Sequence, residues 1–445
     1  MKRKPINEMT REELAFEYSE LLAEYEQVKA ERLSLDMSRG KPCREQLDLS
    51  DGILGVLKTG DDCHNNFGTD MRNYGMPIGV PAARKLFAEL CGVDFDNVFL
   101  GGNASLELMF DAVARAELFG VYPGATPWCK LDKVKFLCPA PGYDRHFRIC
   151  ETFGIEMITI EMDENGPDMD TVEKLVAEDE SIKGIWCVPK HSNPTGAVYS
   201  DETVRRFAAL KPAAKDFRIF WDNAYMIHDL YDDAPDILNI FELTRGTENE
   251  NLVYMFTSTS KITYAGSGIS AFITSDANMK HALGYIGTQI ISYDKLNQFR
   301  HAKFFEDADG VRKHMKKHAE ILRPRFEAVL SAFEKELEGR NVAKWTKPSG
   351  GYFISLDILC GSAKRVYDLC LEAGVKLTEA GATYPYGKDP KDSNLRIAPS
   401  YPPLSELLKA AQVLCLCVKL ASVEKMLADN GFFKSINTIS LGNIS

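Results

Sequence analysis

The chain has 445 residues and carries 53 Lys and Arg against 64 Asp and Glu, a formal net charge of −11. That balance argues against nucleic acid or an anionic membrane surface as the main partner. The 45% hydrophobic and 26% charged content is that of a globular protein long enough for two or more domains. No apolar run approaches the roughly 18 residues a membrane span needs. The basic start leads into an acidic amphipathic segment with no signal-peptide core, so a cytoplasmic location is expected. Eleven cysteines are scattered singly from Cys43 to Cys417 and read as reduced thiols. Only Cys415 and Cys417 lie close together, with no histidine nearby, so neither a metal site nor a disulfide is expected.

In chain order, Thr10 with Glu13 three residues on reads as a capping box that opens a helix reaching to about residue 32. The segment 38–42, SRGKP, is a loop by its Gly and Pro. From residue 51 to about 275, short apolar runs alternate with longer amphipathic ones: NVFL, VKFLCPAP, EMITIEM, IKGIWCVPK, FRIFWD, LVYMFTS and SGISAFITS. Strand-length runs separated by helical patterns predict an α/β domain with a mostly parallel sheet sandwiched by helices. A charged stretch over 297–337 predicts one or two long helices. Strands at 342–358, 374–381 and 394–400 and a helix at 404–430 then predict a smaller α+β domain. The boundaries read as a large domain at 51–315 and a small C-terminal domain at 316–445, with the N-terminal segment 1–50 packing on the small one.

Ligands of an open α/β sheet bind beyond the carboxyl ends of its strands, so the polar residues that follow each run are the ones to weigh. Gly101, Gly102, Asn103, Ala104 and Ser105 follow NVFL and open a helix. They form either a seat for a phosphate on free N–H groups or a plain capped start. Asp222 ends FRIFWD, where a carboxylate needs a cation or donors. A capping or structural role is the alternative. Lys261 follows LVYMFTSTS and is either a surface charge or an amine made carbonyl-reactive by desolvation.

The order of these features carries more than any one of them: a Gly/Ser anion seat, then Asn193-Pro194-Thr195-Gly196, Asp222 with Tyr225, Ser258 with Lys261, and late Arg396. With SRGKP, RNYGMPIG, GGNASLELMF, SNPTGAVYS, TSTSKITYAGSGIS and DKLNQFRH, the chain resembles a fold type I, pyridoxal-phosphate-dependent aminotransferase. It is most similar to the divergent bacterial aspartate aminotransferase branch, over residues 33–420.

The resemblance implies pyridoxal 5'-phosphate as cofactor. Lys261 would hold it as an internal aldimine and shuttle a proton. Asp222, supported by His146, would pair with the pyridine nitrogen, and Asn193 and Tyr225 with the phenolic oxygen. Tyr143 would stack on the ring. Asn103, Ala104, Ser105 and Ser258 would hold the phosphate, joined by Tyr74 from a second subunit, which implies a homodimer with shared active sites. Arg396 would clamp the substrate α-carboxylate, a role guanidinium geometry suits, with Gly40 letting backbone approach it and Asn193 also meeting the substrate. Arg39 is favoured for a distal carboxylate, with Arg300 the other candidate. The expected reaction moves an amino group between L-aspartate and 2-oxoglutarate. Another amino donor, a β-lyase or a decarboxylase would use the same groups.

One departure stands out. Most relatives place a phosphate-pairing arginine shortly after the lysine, and residues 262–268 contain none. Ser260 and Ser267 are the nearby donors. A non-catalytic effector-binding module of the kind fused to DNA-binding domains is disfavoured by the acidic balance, by the intact Lys261 and Asp222, and by the lack of a preceding helix-turn-helix pattern.

Overall fold

The structure is a computed structural model and describes residues 4–429. Helix α1 (Arg11–Ala30) is followed by strand β1 (Leu35–Asp36), helices α2 (Arg44–Asp48) and α3 (Pro81–Cys91), strand β2 (Val98–Leu100) and helix α4 (Ser105–Phe119). Next come β3 (Lys135–Ala140), α5 (Asp144–Phe153), β4 (Glu156–Asp163), β5 (Gly166–Pro167), α6 (Met169–Glu178), β6 (Ile182–Cys187), α7 (Asp201–Ala208) and β7 (Arg218–Asp222). Then follow α8 (Ile240–Thr244), β8 (Val253–Ser258), β9 (Ser270–Ile273), α9 (Asp276–Gln289), α10 (Lys295–Phe305) and α11 (Ala308–Leu337). The last described elements are β10 (Ala343–Trp345), β11 (Ile354–Ile358), α12 (Ala363–Glu372), β12 (Val375–Lys376), β13 (Asn394–Ile397) and α13 (Leu404–Asp429). Each apolar run between residues 51 and 275 contains a strand, whereas the run 342–358 is two strands, β10 and β11, with an irregular stretch between them. Asn430, the last residue of the helix expected at 404–430, lies outside the described residues.

Two compact units share the chain. One contains residues 41–321 together with Ser349–Gly351, and the other contains residues 4–40, 322–348 and 352–429. The larger unit is built on one sheet of order β2-β9-β8-β7-β6-β3-β4-β5. Its centre is parallel, from β8 through β7, β6 and β3 to β4, while β9 and β5 pair antiparallel. Side chains alternate across it as a period of two requires. Ile219, Trp221, Val253 and Met255 join one apolar cluster with α3, α7 and α10, whereas Phe220, Tyr254 and Phe256 join another with α4, α5 and α9. Both faces are covered, so β6, β7 and β8 are buried at every residue. That explains why these runs are continuously apolar.

The smaller unit has an antiparallel sheet β10-β11-β13 and a parallel pair, β1 with β12, in which Leu35 faces Val375. The expected capping box starts α1: Thr10 Oγ1 accepts from Glu13 N–H at 3.2 Å, and Glu13 Oε2 accepts from Thr10 N–H at 2.7 Å. The same helix packs along α13, a helix so apolar that most of its side chains are buried. Lys409 reaches Glu31 at 2.8 Å across that contact.

Candidate active site

The carboxyl ends of β2, β7 and β8 deliver the central groups of the larger unit. Asp222 closes β7 and is 3% exposed. Its Oδ2 lies 3.0 Å from His146 Nε2, while its Oδ1 is buried with no hydrogen-bond partner. His146 stands on the first turn of α5, held flat against Trp186 with ring centroids 4.4 Å apart and crossed by the edge of Tyr143. A buried carboxylate with one oxygen fixed and the other open is a costly arrangement unless an N–H is brought to it. A ring N–H suits that geometry.

Lys261 follows β8 on a short turn. Its amine lies 4.8 Å from the centre of the Tyr225 ring, and Tyr225 is itself buried. Desolvation pushes the lysine pKa below its ordinary value, with nearby Asp222 partly opposing the shift. The amine therefore spends more time uncharged than a surface lysine does. Asn193 is buried in the 192–197 turn, where Ser192 N–H donates to Ala197 O at 2.8 Å.

The start of α4 is the candidate anion seat singled out in the sequence. Gly101 and Gly102 extend the pairing with β9: Gly101 N–H donates to Ser270 O at 2.9 Å, and Gly102 O accepts from Ser270 N–H at 2.8 Å. A Cβ on Gly101 would come within 2.7 Å of a Leu108 methyl, so a larger residue there would have to push that buried side chain aside. Ala104 caps the helix without a side-chain hydrogen bond, which leaves the first-turn N–H groups for a ligand. Across from it Ser258 Oγ donates to Ser260 Oγ at 3.1 Å, and Ser260 Oγ donates to Asn103 O at 2.8 Å. Asn103 Nδ2 reaches Ala265 O at 3.5 Å. Of the residues singled out in the sequence, Asn103, Ala104, Ser105, Tyr143, His146, Asn193, Asp222, Tyr225, Ser258 and Lys261 all belong to this unit. Tyr74 does too, on a loop where its side chain is 80% exposed.

Gly40, Arg39 and Arg396 belong to the smaller unit. There the Arg396 guanidinium sits 4.9 Å from the centre of the Phe353 ring, and its Nε donates to Thr378 Oγ1 at 3.4 Å. Gly40 packs on the same ring, so close that a Cβ would overlap it at 2.1 Å. One aromatic ring thus ties the arginine to the loop glycine. Arg39 is 3.7 Å from Asp36, with 61% of its side chain exposed.

Sequence reasoning missed what fixes the lysine turn. His301 of α10 donates from Nδ1 to Asn297 O at 2.7 Å, so its Nε2 is the acceptor for Thr263 Oγ1 at 2.9 Å, and Thr259 Oγ1 lies 3.3 Å away. His314 of α11 meets Ile262 O at 2.9 Å and is backed by His318 at 3.1 Å, which in turn meets Gln46 at 2.9 Å. Burial pushes His301 down to about 4 and His318 to about 3, and lowers His314, so all three are neutral at pH 7. Thr259, Ile262 and Thr263 flank Lys261 on both sides, and each is tied to a histidine from a later helix. The sequence signal was only a histidine at the end of NQFRH.

A family model described as aspartate amino-transferase matches residues 9–430. A relative from Mycolicibacterium smegmatis, named as an aminotransferase, is 48% identical over 406 residues, 91% of this chain and 95% of that protein. The aspartate aminotransferase of Corynebacterium glutamicum is 45% identical over 419 residues, 94% of this chain and 96% of that protein. A crystal structure of an aspartate transaminase from Corynebacterium glutamicum matches with a TM-score of 0.92 and 44% identity, covering 95% of this chain and 99% of that one. Strand ends, motif order and these likenesses agree: the chain is an aminotransferase and belongs to the aspartate aminotransferase family of fold type I pyridoxal-phosphate enzymes.

Proposed function

We propose that this chain transfers an amino group between L-aspartate and 2-oxoglutarate, yielding oxaloacetate and L-glutamate in two half-reactions on pyridoxal 5'-phosphate. The observation that carries the reading is the pair Asp222 and Lys261: a carboxylate with one buried, unpartnered oxygen, near a lysine amine whose pKa is lowered. The donor set fits this cofactor, with an acceptor for a ring N–H, an amine for an aldehyde, and free helix N–H groups and hydroxyls for a phosphate. When bound, the cofactor supplies an electron sink for the substrate's α-carbon.

On this reading Lys261 Nζ would be the amine that holds the cofactor's aldehyde and the base that takes a proton from the substrate's α-carbon. Asp222 Oδ1 holds the proton on the ring nitrogen, and His146 keeps that carboxylate aimed. Asn193 and Tyr225 bond the ring oxygen, and Tyr143 covers the ring face. Asn103, Ala104, Ser105 and Ser258 take the phosphate. Arg396 binds the α-carboxylate beside Gly40, with Asn193 assisting, and Arg39 binds the distal carboxylate. The 45% identity to an aspartate aminotransferase supports the substrate pair.

A homodimer is part of the proposal. Tyr74 at 80% and Phe67 at 93% are large side chains in water on one loop segment, and Ile291 is 62% exposed. These exposed side chains are available for a partner subunit to cover. Unpaired cysteines fit a reducing, cytoplasmic compartment, and no described helix is long and apolar enough to cross a membrane.

An absorbance screen of the twenty amino acids tests the reading. Aspartate and glutamate should convert the visible cofactor band to the amine form with release of the 2-oxo acid. If only other amino acids do so, the substrate assignment is wrong and the cofactor assignment stands. Lys261→Ala should form no borohydride-reducible adduct, and an adduct in that variant would overturn the site.

A further inference from the structure

On the cofactor reading above, the phosphate is a dianion, yet the groups gathered for it at the start of α4 are neutral: hydroxyls of Ser105, Ser258 and Ser260 and backbone N–H groups. Residues 262–268, between the lysine and β9, contain no basic side chain. Lys261 is committed to the aldehyde. Lys295 spends its ammonium on Asn73 O and on Ser292 Oγ. A doubly charged group in a partly enclosed site needs a cation.

We propose that Arg300, delivered from α10, is the cation that holds the cofactor phosphate. Arg300 is half-buried, and among the described residues no carboxylate pairs with it. Its side chain is aimed by neutral partners alone: Nε donates to Asn297 Oδ1 at 2.9 Å and Nη2 to Ser267 Oγ at 2.5 Å. Asn297 is itself fixed, since its Nδ2 donates to Gly268 O at 2.7 Å and to Ser267 O at 3.2 Å.

That loop is part of the anion seat. A Cβ on Gly268 would stand 3.0 Å from Ser260 N, and Ala265 O accepts from Asn103. The guanidinium is therefore held against a five-residue loop, 264–268, that touches both Ser260 and Asn103. An arginine held only by an amide oxygen and a hydroxyl keeps its full charge for an incoming anion. A side chain at Gly268 would instead press on Ser260 and on Thr259 Oγ1, 3.1 Å from its Cβ. The cation arrives from a helix 39 positions beyond Lys261 in the chain, in place of one on the lysine loop.

The test compares the cofactor with its phosphate-free form, pyridoxal, titrated by absorbance into the full-length chain after cofactor removal. Arg300→Gln should weaken pyridoxal 5'-phosphate about 10- to 100-fold, the range for a hydrogen bond to a charged group, and leave pyridoxal unchanged. Arg300→Lys should recover part of the loss. Ser267→Ala, which removes the hydroxyl that aims the guanidinium, should give a smaller loss in the same direction. The proposal fails if Arg300→Gln holds the phosphorylated cofactor as tightly as the parent, or if both forms weaken equally. In either case the parent's own binding and turnover remain, so the functional reading survives. A parent chain that binds no pyridoxal 5'-phosphate overturns both.

Discussion

Two buried aspartates bracket strand β7, and they are satisfied differently. Asp216, two residues before the strand, has both oxygens taken: Lys183 Nζ lies 2.6 Å from Oδ1, and Trp128 Nε1 donates to Oδ2 at 3.0 Å. Asp222, at the other end, has one oxygen on His146 and the other without a hydrogen-bond partner among the described residues. Both residues are buried, Asp222 more deeply than Asp216. Burial is therefore shared, and the two differ in the completeness of their partners, the difference expected between a structural aspartate and one proposed to meet a ligand. The end of the strand matters as well, because the open oxygen is at the carboxyl end, where a ligand of such a sheet binds.

Substitution should break the likeness between the two. Asp222→Asn is expected to lower kcat about 10^2- to 10^3-fold, the usual effect of removing a preorganised charge, with a thermal midpoint close to the parent's. Asp216→Asn should do the reverse. It leaves Lys183 buried without its anion, a loss of about 3–5 kcal/mol in unfolding free energy, while activity per folded molecule is kept. Denaturant titrations and single-turnover rates on both variants check the pair. A stability loss at Asp222 as large as at Asp216 would erase the distinction.

His146→Phe sharpens it further by taking away the side-chain hydrogen bond that Asp222 makes among the described residues. A loss of about 10- to 100-fold is expected, as for other groups that orient a ligand-binding residue. The smallest effect is in pH. His301 and His318 have folded values of about 4 and about 3, below the ordinary value of about 6.5, so below that pH the unfolded chain binds more protons. Their contribution is fully present above about pH 6.5 and is lost as the pH falls towards 4. Each group adds a slope of about 1.4 kcal/mol per pH unit over that window. Urea unfolding at pH 7, 6 and 5 measures it, and a flat profile would mean the histidines are not held neutral.

The strands, the helix starts and the order of Asn193, Asp222, Ser258 and Lys261 were legible in the sequence because each is a local pattern. Apolar runs had to be strands once both sheet faces were covered, and polar residues at their carboxyl ends had to face the ligand side. The histidine ties on the lysine turn were not legible. His301 and His314 lie 40 and 53 positions beyond Lys261, and only the packing of α10 and α11 brings them to Thr259, Ile262 and Thr263. The seat of Arg300 was hidden for the same reason. Its helix was readable, but the serine it meets belongs to a loop with no periodicity to announce it. Ser349–Gly351 was likewise read only as part of a strand-like run. The structure instead joins it to the larger unit, where Gly351 N–H donates to His228 O at 2.9 Å and Leu230 N–H donates to Ser349 O at 2.8 Å.

The pairing of Leu35 with Val375 has a meaning for biosynthesis. At roughly 5–20 residues per second, a ribosome needs roughly 20–70 s between making β1 and making its partner β12, and α1 waits longer still for the helix it packs on. During that interval the sheet of the larger unit is complete up to β9, while the first helix has exposed an apolar face with nothing to cover it. Nascent chains are thus expected to offer α1 to a chaperone, and the synthesis of α13 is what releases it.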